Sequence, residues 1–137
     1  MESMSKIEAV LFDLDGTLLD SFPDFLVSLQ NINIKSSSKK IDENIVRANV
    51  SDGSSKLLKL VFDINADDED FDEHKRIFLN EYEKNILMYG NLFLGVSDLL
   101  NFLLDKKIPY GIVTNKPRKY TEIILKKSSL LLSLIHI

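Results

Sequence analysis

The sequence predicts an α/β fold, a partial Rossmann-like parallel-sheet core carrying an inserted all-helical cap. Three observations lead there. Two short apolar runs, Ile7 to Asp13 and Pro109 to Thr114, read as strands, and each ends in polar residues suited to chemistry. Continuous apolar runs of this length suit strands covered on both faces, as in a parallel sheet between helices. Nothing between Ser21 and Tyr89 reads as a strand, while helical spacing of apolar residues recurs through it. The predicted order is therefore strand, helical insert, helix, strand, helix. The two strands are expected to be parallel neighbours joined by a crossover. The core is assigned to residues 1–20 and 90–131, and the cap to 21–89.

Taken in order, Ala9 to Phe12 give the first strand its apolar centre, and Gly16 permits a tight turn just after Asp15. Ser21-Phe-Pro23-Asp24 predicts a helix start, with Ser21 as N-cap, Pro23 in the first turn and Asp24 closing a capping-box-like pair. Phe22, Phe25, Leu26, Leu29 and Ile32 fall on one face of that helix. Lys35 to Lys40 form a polar linker. Asp42 is placed to cap a short helix bearing Ile45, Val46 and Val50, and Ser51-Asp52-Gly53 is a turn. Leu57, Leu60, Val61 and Ile64 mark the next helix. The acidic run from Asp67 opens another, because negative charge suits the positive end of a helix dipole. Phe71, Phe78, Tyr82, Ile86 and Tyr89 continue its apolar stripe, and His74 is expected on its exposed surface. Gly90 and Gly95 bracket the return to the core. Val96, Leu99, Leu100 and Leu103 predict a helix ending near Lys106. Pro117 suits the first turn of a last helix through Lys127.

Composition narrows the classes of function. A chain of 137 residues with 45% hydrophobic and 28% charged content fits one ordinary globular domain, or a small core with an insert. A net charge of −4 counts against nucleic acid as a partner. With no cysteine there are no disulfides and no thiolate metal sites. The apolar runs are too short to span a bilayer and the first residues lack a signal-peptide pattern, so a soluble cytoplasmic protein is expected.

The chemistry centres on Asp13 and Asp15. Two carboxylates one residue apart repel each other, and an apolar strand does not run into such a pair without something to balance it. A hard cation such as Mg²⁺ and the phosphate it carries supply that balance. A turn held by Asx-type hydrogen bonds is the plainer reading, but the apolar strand before the pair and Thr17-Leu-Leu-Asp-Ser21 after it favour a phosphoryl-transfer site.

Phe12-Asp-Leu-Asp-Gly-Thr-Leu-Leu-Asp-Ser21 resembles the first signature of the haloacid-dehalogenase-like hydrolases, and Val113-Thr-Asn-Lys116 resembles the second. The Thr-Asn-Lys-Pro form is similar to phosphoglycolate-phosphatase-like members. The resemblance covers roughly residues 6 to 130. It implies a Mg²⁺-dependent phosphatase acting on a small phosphorylated metabolite, with 2-phosphoglycolate as leading candidate. A sugar phosphomutase of the same superfamily is the runner-up. Asp13 would be the nucleophile, Asp15 the general acid and then base. The Asp13 carboxylate and the Asp15 backbone carbonyl would hold the metal. Gly16, Thr17, Thr114, Asn115 and Lys116 would surround the phosphate. For Thr114 a helix cap, and for Lys116 a solvated lysine, are the bland alternatives. Ser51, Asp52 and Gly53 stand where such caps carry a glycine-rich substrate loop, with Ser51 in place of the usual glycine; a plain turn is an equal reading. Arg47 and Lys56 are weighed as partners of a substrate carboxylate, with surface charge preferred for both.

The family pattern also includes a charge-balancing lysine and a later acidic pair, and no segment after Lys127 supplies them. The chain as written is therefore expected to turn over little. Leu132-Ser-Leu-Ile-His-Ile137 resembles the translation of a transposase mosaic-end adapter, against a genuine apolar strand as the other reading. His136 is accordingly not offered as a ligand.

Overall fold

A computed structural model of the chain describes residues 6–32, 40–128 and 130. The tail expected at 132–137, and all of the linker except Lys40, lie outside the described residues.

Strand β1 (Val10–Phe12) pairs in parallel with β4 (Tyr110–Ile112), with Val10 opposite Tyr110, Leu11 opposite Gly111 and Phe12 opposite Ile112. The pairing runs one step further, since the Val113 N–H donates to the Phe12 carbonyl at 2.8 Å. Parallel neighbours need a long connection, and every other element before β4 lies within it. The α/β class is as the sequence predicts. Burial of β1 on both faces is not: Leu11 is 59% exposed. Among the described residues β1 has a single strand neighbour, so its outward face lacks the cover that a fully flanked parallel strand receives.

A second, unanticipated pairing closes the base of the helical segment. Strand β2 (Leu19–Asp20) runs antiparallel to β3 (Asn91–Leu92), with Leu19 opposite Leu92 and Asp20 opposite Asn91. Two-residue strands are too short to carry periodicity. Between them lie α1 (Phe22–Asn31), α2 (Glu43–Ala48), a 3-10 turn at Val50–Asp52, α3 (Ser54–Phe62) and α4 (Phe71–Asn85).

The start of α1 departs from the expected capping box. Ser21 occupies the N-cap position, but its hydroxyl makes no cap hydrogen bond and is buried without a hydrogen-bond partner among the described residues. Asp24 is fully buried and turns the other way, accepting the backbone N–H groups of Leu87, Tyr89 and Gly90, each at 2.9 Å. Three N–H donors satisfy a buried carboxylate far better than one capping bond. The returning chain is so close that a Cβ on Gly90 would sit 2.6 Å from the Asp20 carbonyl and 2.7 Å from Asp24 Oδ2.

Asp42 caps α2 as expected, accepting from the Asn44 N–H at 2.9 Å. The buried stripe of α3 is shifted from the predicted one: Leu57 and Leu58 are buried, while Leu60 is exposed. Helices α1 and α4 pack through Phe25, Phe78 and Tyr82, and the Phe25 and Tyr82 rings stack at 4.3 Å and 5°. Large buried aromatic rings dominate such an interface. Tyr89 falls off this stripe into solvent, and His74 is largely buried, with a side chain only 12% exposed and close to Asp70.

After β3, α5 (Val96–Asp105) and α6 (Arg118–Ser128) fall where expected, with Pro117 just ahead of α6. Val96, Leu100 and Leu103 face inward, and Leu99, Phe102 and Leu104 face out. An ion pair between Lys119 and Glu83, and a hydrogen bond from Lys127 Nζ to the Ile86 carbonyl at 3.0 Å, tie α6 to α4 and the residue after it.

Candidate active site

Because β1 and β4 are parallel and in register, they deliver their carboxyl ends side by side. Asp13 follows one and Thr114 follows the other by two residues, and both line a cavity of about 240 Å³. Ligands in open α/β folds bind at this end of the sheet. Asp15, Asn115, Lys116, Pro117 and Tyr120 line the cavity beside them. Phe25, Val50, Ser51, Asp52, Gly53, Ser54 and Ser55 line it too, with Lys75, Leu79 and Tyr82 of α4.

The two carboxylates differ in setting. Asp13 is exposed, and its Oδ1 accepts the Leu14 N–H at 2.7 Å. Asp15 is buried, and Lys116 Nζ lies 3.0 Å from its Oδ1 and 2.9 Å from its Oδ2. The Lys116 side chain is only 4% exposed. Its ammonium also lies 4.8 Å from the Phe25 ring centre and 4.7 Å from that of Tyr82, within the range of cation–π attraction. Burial pushes this ammonium below the ordinary lysine value, and the Asp15 charge opposes that shift. The reading of Lys116 as a solvated lysine does not hold: it lines the cavity as a buried counter-charge to Asp15.

The remaining predicted residues divide. Thr114 is half-buried and its Oγ1 accepts the Lys116 N–H at 3.1 Å, which folds the loop as a hydroxyl-held turn and does not cap α6. Gly16, with φ +76, and Thr17 lie outside the cavity wall. Their N–H groups are spent within the turn, on the carbonyls of Leu19 and Leu14, so neither amide faces a phosphate in this arrangement. Ser51, Asp52 and Gly53 do line the cavity. Ser51 Oγ donates to the Asp15 backbone carbonyl at 2.6 Å, joining the 3-10 turn to the end of β1. Arg47 stands 3.9 Å over the Phe22 ring and 3.7 Å from Asp20, away from the wall, and Lys56 is exposed outside it.

Sequence reasoning passes over Lys75 and Phe25 as wall residues. A signal for Lys75 exists. It falls on the stripe of Phe71, Phe78 and Tyr82, where a cation interrupts an otherwise apolar face.

Among the described residues there is no group of three His, Cys, Asp or Glu side chains able to hold a metal. The Asp13 carboxylate and the Asp15 carbonyl are two oxygen donors at the cavity. Mg²⁺ commonly takes one or two protein oxygens and fills the rest of its shell with water and phosphate, so this donor set fits a hard cation only in that partial way. Among the described residues no helix is long and apolar enough to cross a membrane.

The chain is similar to known proteins in sequence and fold. An N-acetylmuramic acid 6-phosphate phosphatase of Pseudomonas putida is 31% identical over 125 residues, covering 91% of this chain and 56% of the relative. A phosphoglycolate phosphatase of Xanthomonas campestris pv. campestris is 38% identical over 117 residues, covering 85% of this chain and 52% of the relative. The chain thus spans about half the length of these curated relatives. The crystal structure of a predicted phosphoglycolate phosphatase from Haemophilus somnus superposes with a TM-score of 0.74 at 27% identity, over 93% of this chain and 60% of that one. Residues 10–136 match the model of the haloacid dehalogenase-like hydrolases, and the chain belongs to that family.

Proposed function

We propose that the protein is a Mg²⁺-dependent phosphomonoester hydrolase that works through an aspartyl-phosphate on Asp13. The observation behind this reading is the meeting of Asp13, Asp15 and Thr114 at one cavity, at the carboxyl ends of paired parallel strands. In the first step an Asp13 oxygen attacks phosphorus and the ester P–O bond breaks. The departing alkoxide takes a proton from Asp15. Water then attacks the aspartyl-phosphate, Asp15 takes a proton from that water, and phosphate leaves with Asp13 restored. Thr114 and the Asn115 amide would bind phosphoryl oxygens. An arriving phosphomonoester dianion competes with Asp15 for the Lys116 ammonium. Mg²⁺, held by the Asp13 carboxylate and the Asp15 carbonyl, would supply charge neutralisation. The helical segment 21–89 would serve as the cap over the core formed by 1–20 and 90–131.

The substrate is a small phosphorylated metabolite, with 2-phosphoglycolate as leading candidate. The substrates in the two relatives' names, phosphoglycolate and N-acetylmuramic acid 6-phosphate, both combine a phosphomonoester with a carboxylic acid.

The test measures inorganic phosphate release from 2-phosphoglycolate with Mg²⁺ or EDTA, beside Asp13→Asn. It is paired with NMR titration of the Thr114 and Asn115 amides with inorganic phosphate. Amide shifts that saturate, and release that Asp13→Asn cuts by a factor of about 10³ or more, support the reading. Release indifferent to Asp13→Asn, or no perturbation at Thr114 and Asn115, would overturn it.

A further inference from the structure

We propose that Lys75 is the specificity residue of this site, reading a carboxylate on the organic part of the phosphomonoester. The proposal rests on the phosphatase reading and assigns the group that chooses among phosphate esters.

Helix α4 turns Lys75, Leu79 and Tyr82 toward the cavity. Spacings of four and three residues put them on one face at successive turns. Tyr82 marks the reacting end, because Lys116 Nζ lies 4.7 Å from its ring and on Asp15. At 1.5 Å per residue, Lys75 stands about 10 Å further along the helix axis. A phosphate at Asp13 and Thr114 therefore leaves the rest of the substrate pointing along a wall that ends in a cation.

Of the two lysines that line the cavity, Lys116 is paired with Asp15. Lys75 is half-buried and has no ion-pair partner among the described residues; its contact is with the Phe71 ring, 5.7 Å away. The next residue shows the ordinary behaviour of a surface cation, since Arg76 is exposed and pairs with Glu73. A lysine on a cavity wall with no ion pair there gains from an anion that arrives within its reach, through a charge-assisted hydrogen bond. The first turn of α3, at Ser54 and Ser55, lines the same cavity, and its N–H groups have no side-chain cap. The positive end of that helix adds to the field of Lys75. Asp52, also on the wall, has the opposite sign, but it is exposed and its charge is screened by solvent. Lys56 and Arg47 lie off the wall.

The experiment is calorimetric binding of ligand pairs in which one member lacks the carboxylate, in the longer pair together with the lactyl ether that bears it. One pair is 2-phosphoglycolate and ethyl phosphate; the other, longer pair is N-acetylmuramic acid 6-phosphate and N-acetylglucosamine 6-phosphate. The proteins are the unmodified chain, Lys75→Met, Lys75→Arg, and Lys56→Met as a control, each checked for native circular dichroism. In at least one pair the carboxylate should strengthen binding about tenfold in the unmodified chain and in Lys56→Met. The ratio should fall to about one in Lys75→Met and recover in part in Lys75→Arg. The pair that shows the effect gives the length of the substrate. Phosphate esters that bind without discrimination, or a preference that survives Lys75→Met, would overturn the role of Lys75 and leave the phosphatase reading standing. Failure of every ligand and of inorganic phosphate to bind would overturn both.

Discussion

Lys116 Nζ bridges the two carboxylate oxygens of Asp15 at 3.0 and 2.9 Å, across 101 residues of sequence. Both side chains are almost wholly buried. Removing one partner of such a pair strands a charge out of water, so Lys116→Met should destabilise the fold by about 3–5 kcal/mol. Replacing both, as Asp15→Asn with Lys116→Met, should cost less than the sum of the single changes, because no uncompensated charge is left. Urea unfolding of the four proteins in a double-mutant cycle measures this. Additive single and double effects would refute the coupling.

The pair also marks where sequence reasoning stops. Asp13, Asp15 and Thr114 are legible because each belongs to a local pattern, an apolar strand followed at once by a polar turn. The partner of Asp15 is not legible, since nothing in Thr114-Asn-Lys-Pro117 states whether the lysine turns inward or out. Ser21 and Asp24 have the spacing of a capping box, yet the Asp24 carboxylate goes to a chain segment more than 60 residues away, because three buried N–H groups compete better for it. Leu11 reads as doubly covered because its strand is uniformly apolar; its exposure depends on neighbours, not on β1 itself. Lys75 interrupts the apolar stripe of Phe71, Phe78 and Tyr82, but its spacing alone does not say that a cavity lies beside it.

Asp24 should hold the base of the helical segment closed. It accepts three amides from the chain that leaves α4 for β3. In Asp24→Ala those donors lose their acceptor, at about 1–3 kcal/mol for each that finds no water. The hydrogen-exchange protection of Leu87, Tyr89 and Gly90 should fall more than that of β1 and β4. Uniform loss across the chain would point to global destabilisation in place of a local clamp.

Tyr82 carries a pH prediction. Burial pushes its hydroxyl well above the ordinary tyrosine value, with the charges of Asp15 and Asp24 adding to the effect. A group whose value is raised on folding contributes its stability fully below the unfolded value, near pH 10, and loses it as the pH rises through the folded value. Unfolding free energy should therefore drop above about pH 10, and Tyr82→Phe should flatten part of that drop. The hydroxyl is buried with no hydrogen-bond partner among the described residues. At neutral pH, Tyr82→Phe should therefore leave stability unchanged or raise it by about 1 kcal/mol. Thermal melts between pH 7 and 11 decide it, and an unaltered alkaline slope would contradict the assignment.

Ser51 should compete with a cation. Its hydroxyl donates at 2.6 Å to the Asp15 backbone carbonyl, the oxygen proposed to serve the metal alongside Asp13. A carbonyl oxygen has two lone pairs, so the two can share it, but each partner weakens the other's hold by drawing on the same charge. Ser51→Ala removes the hydroxyl while keeping the Cβ. Mg²⁺ affinity measured by calorimetry, without substrate, should rise about 2- to 10-fold, corresponding to the net worth of one hydrogen bond. The same change should speed amide exchange in the turn from Val50 to Gly53, which loses its tie to the end of β1. If Mg²⁺ binding is unaltered while exchange quickens, Ser51 is a structural tie only and the shared carbonyl is ruled out.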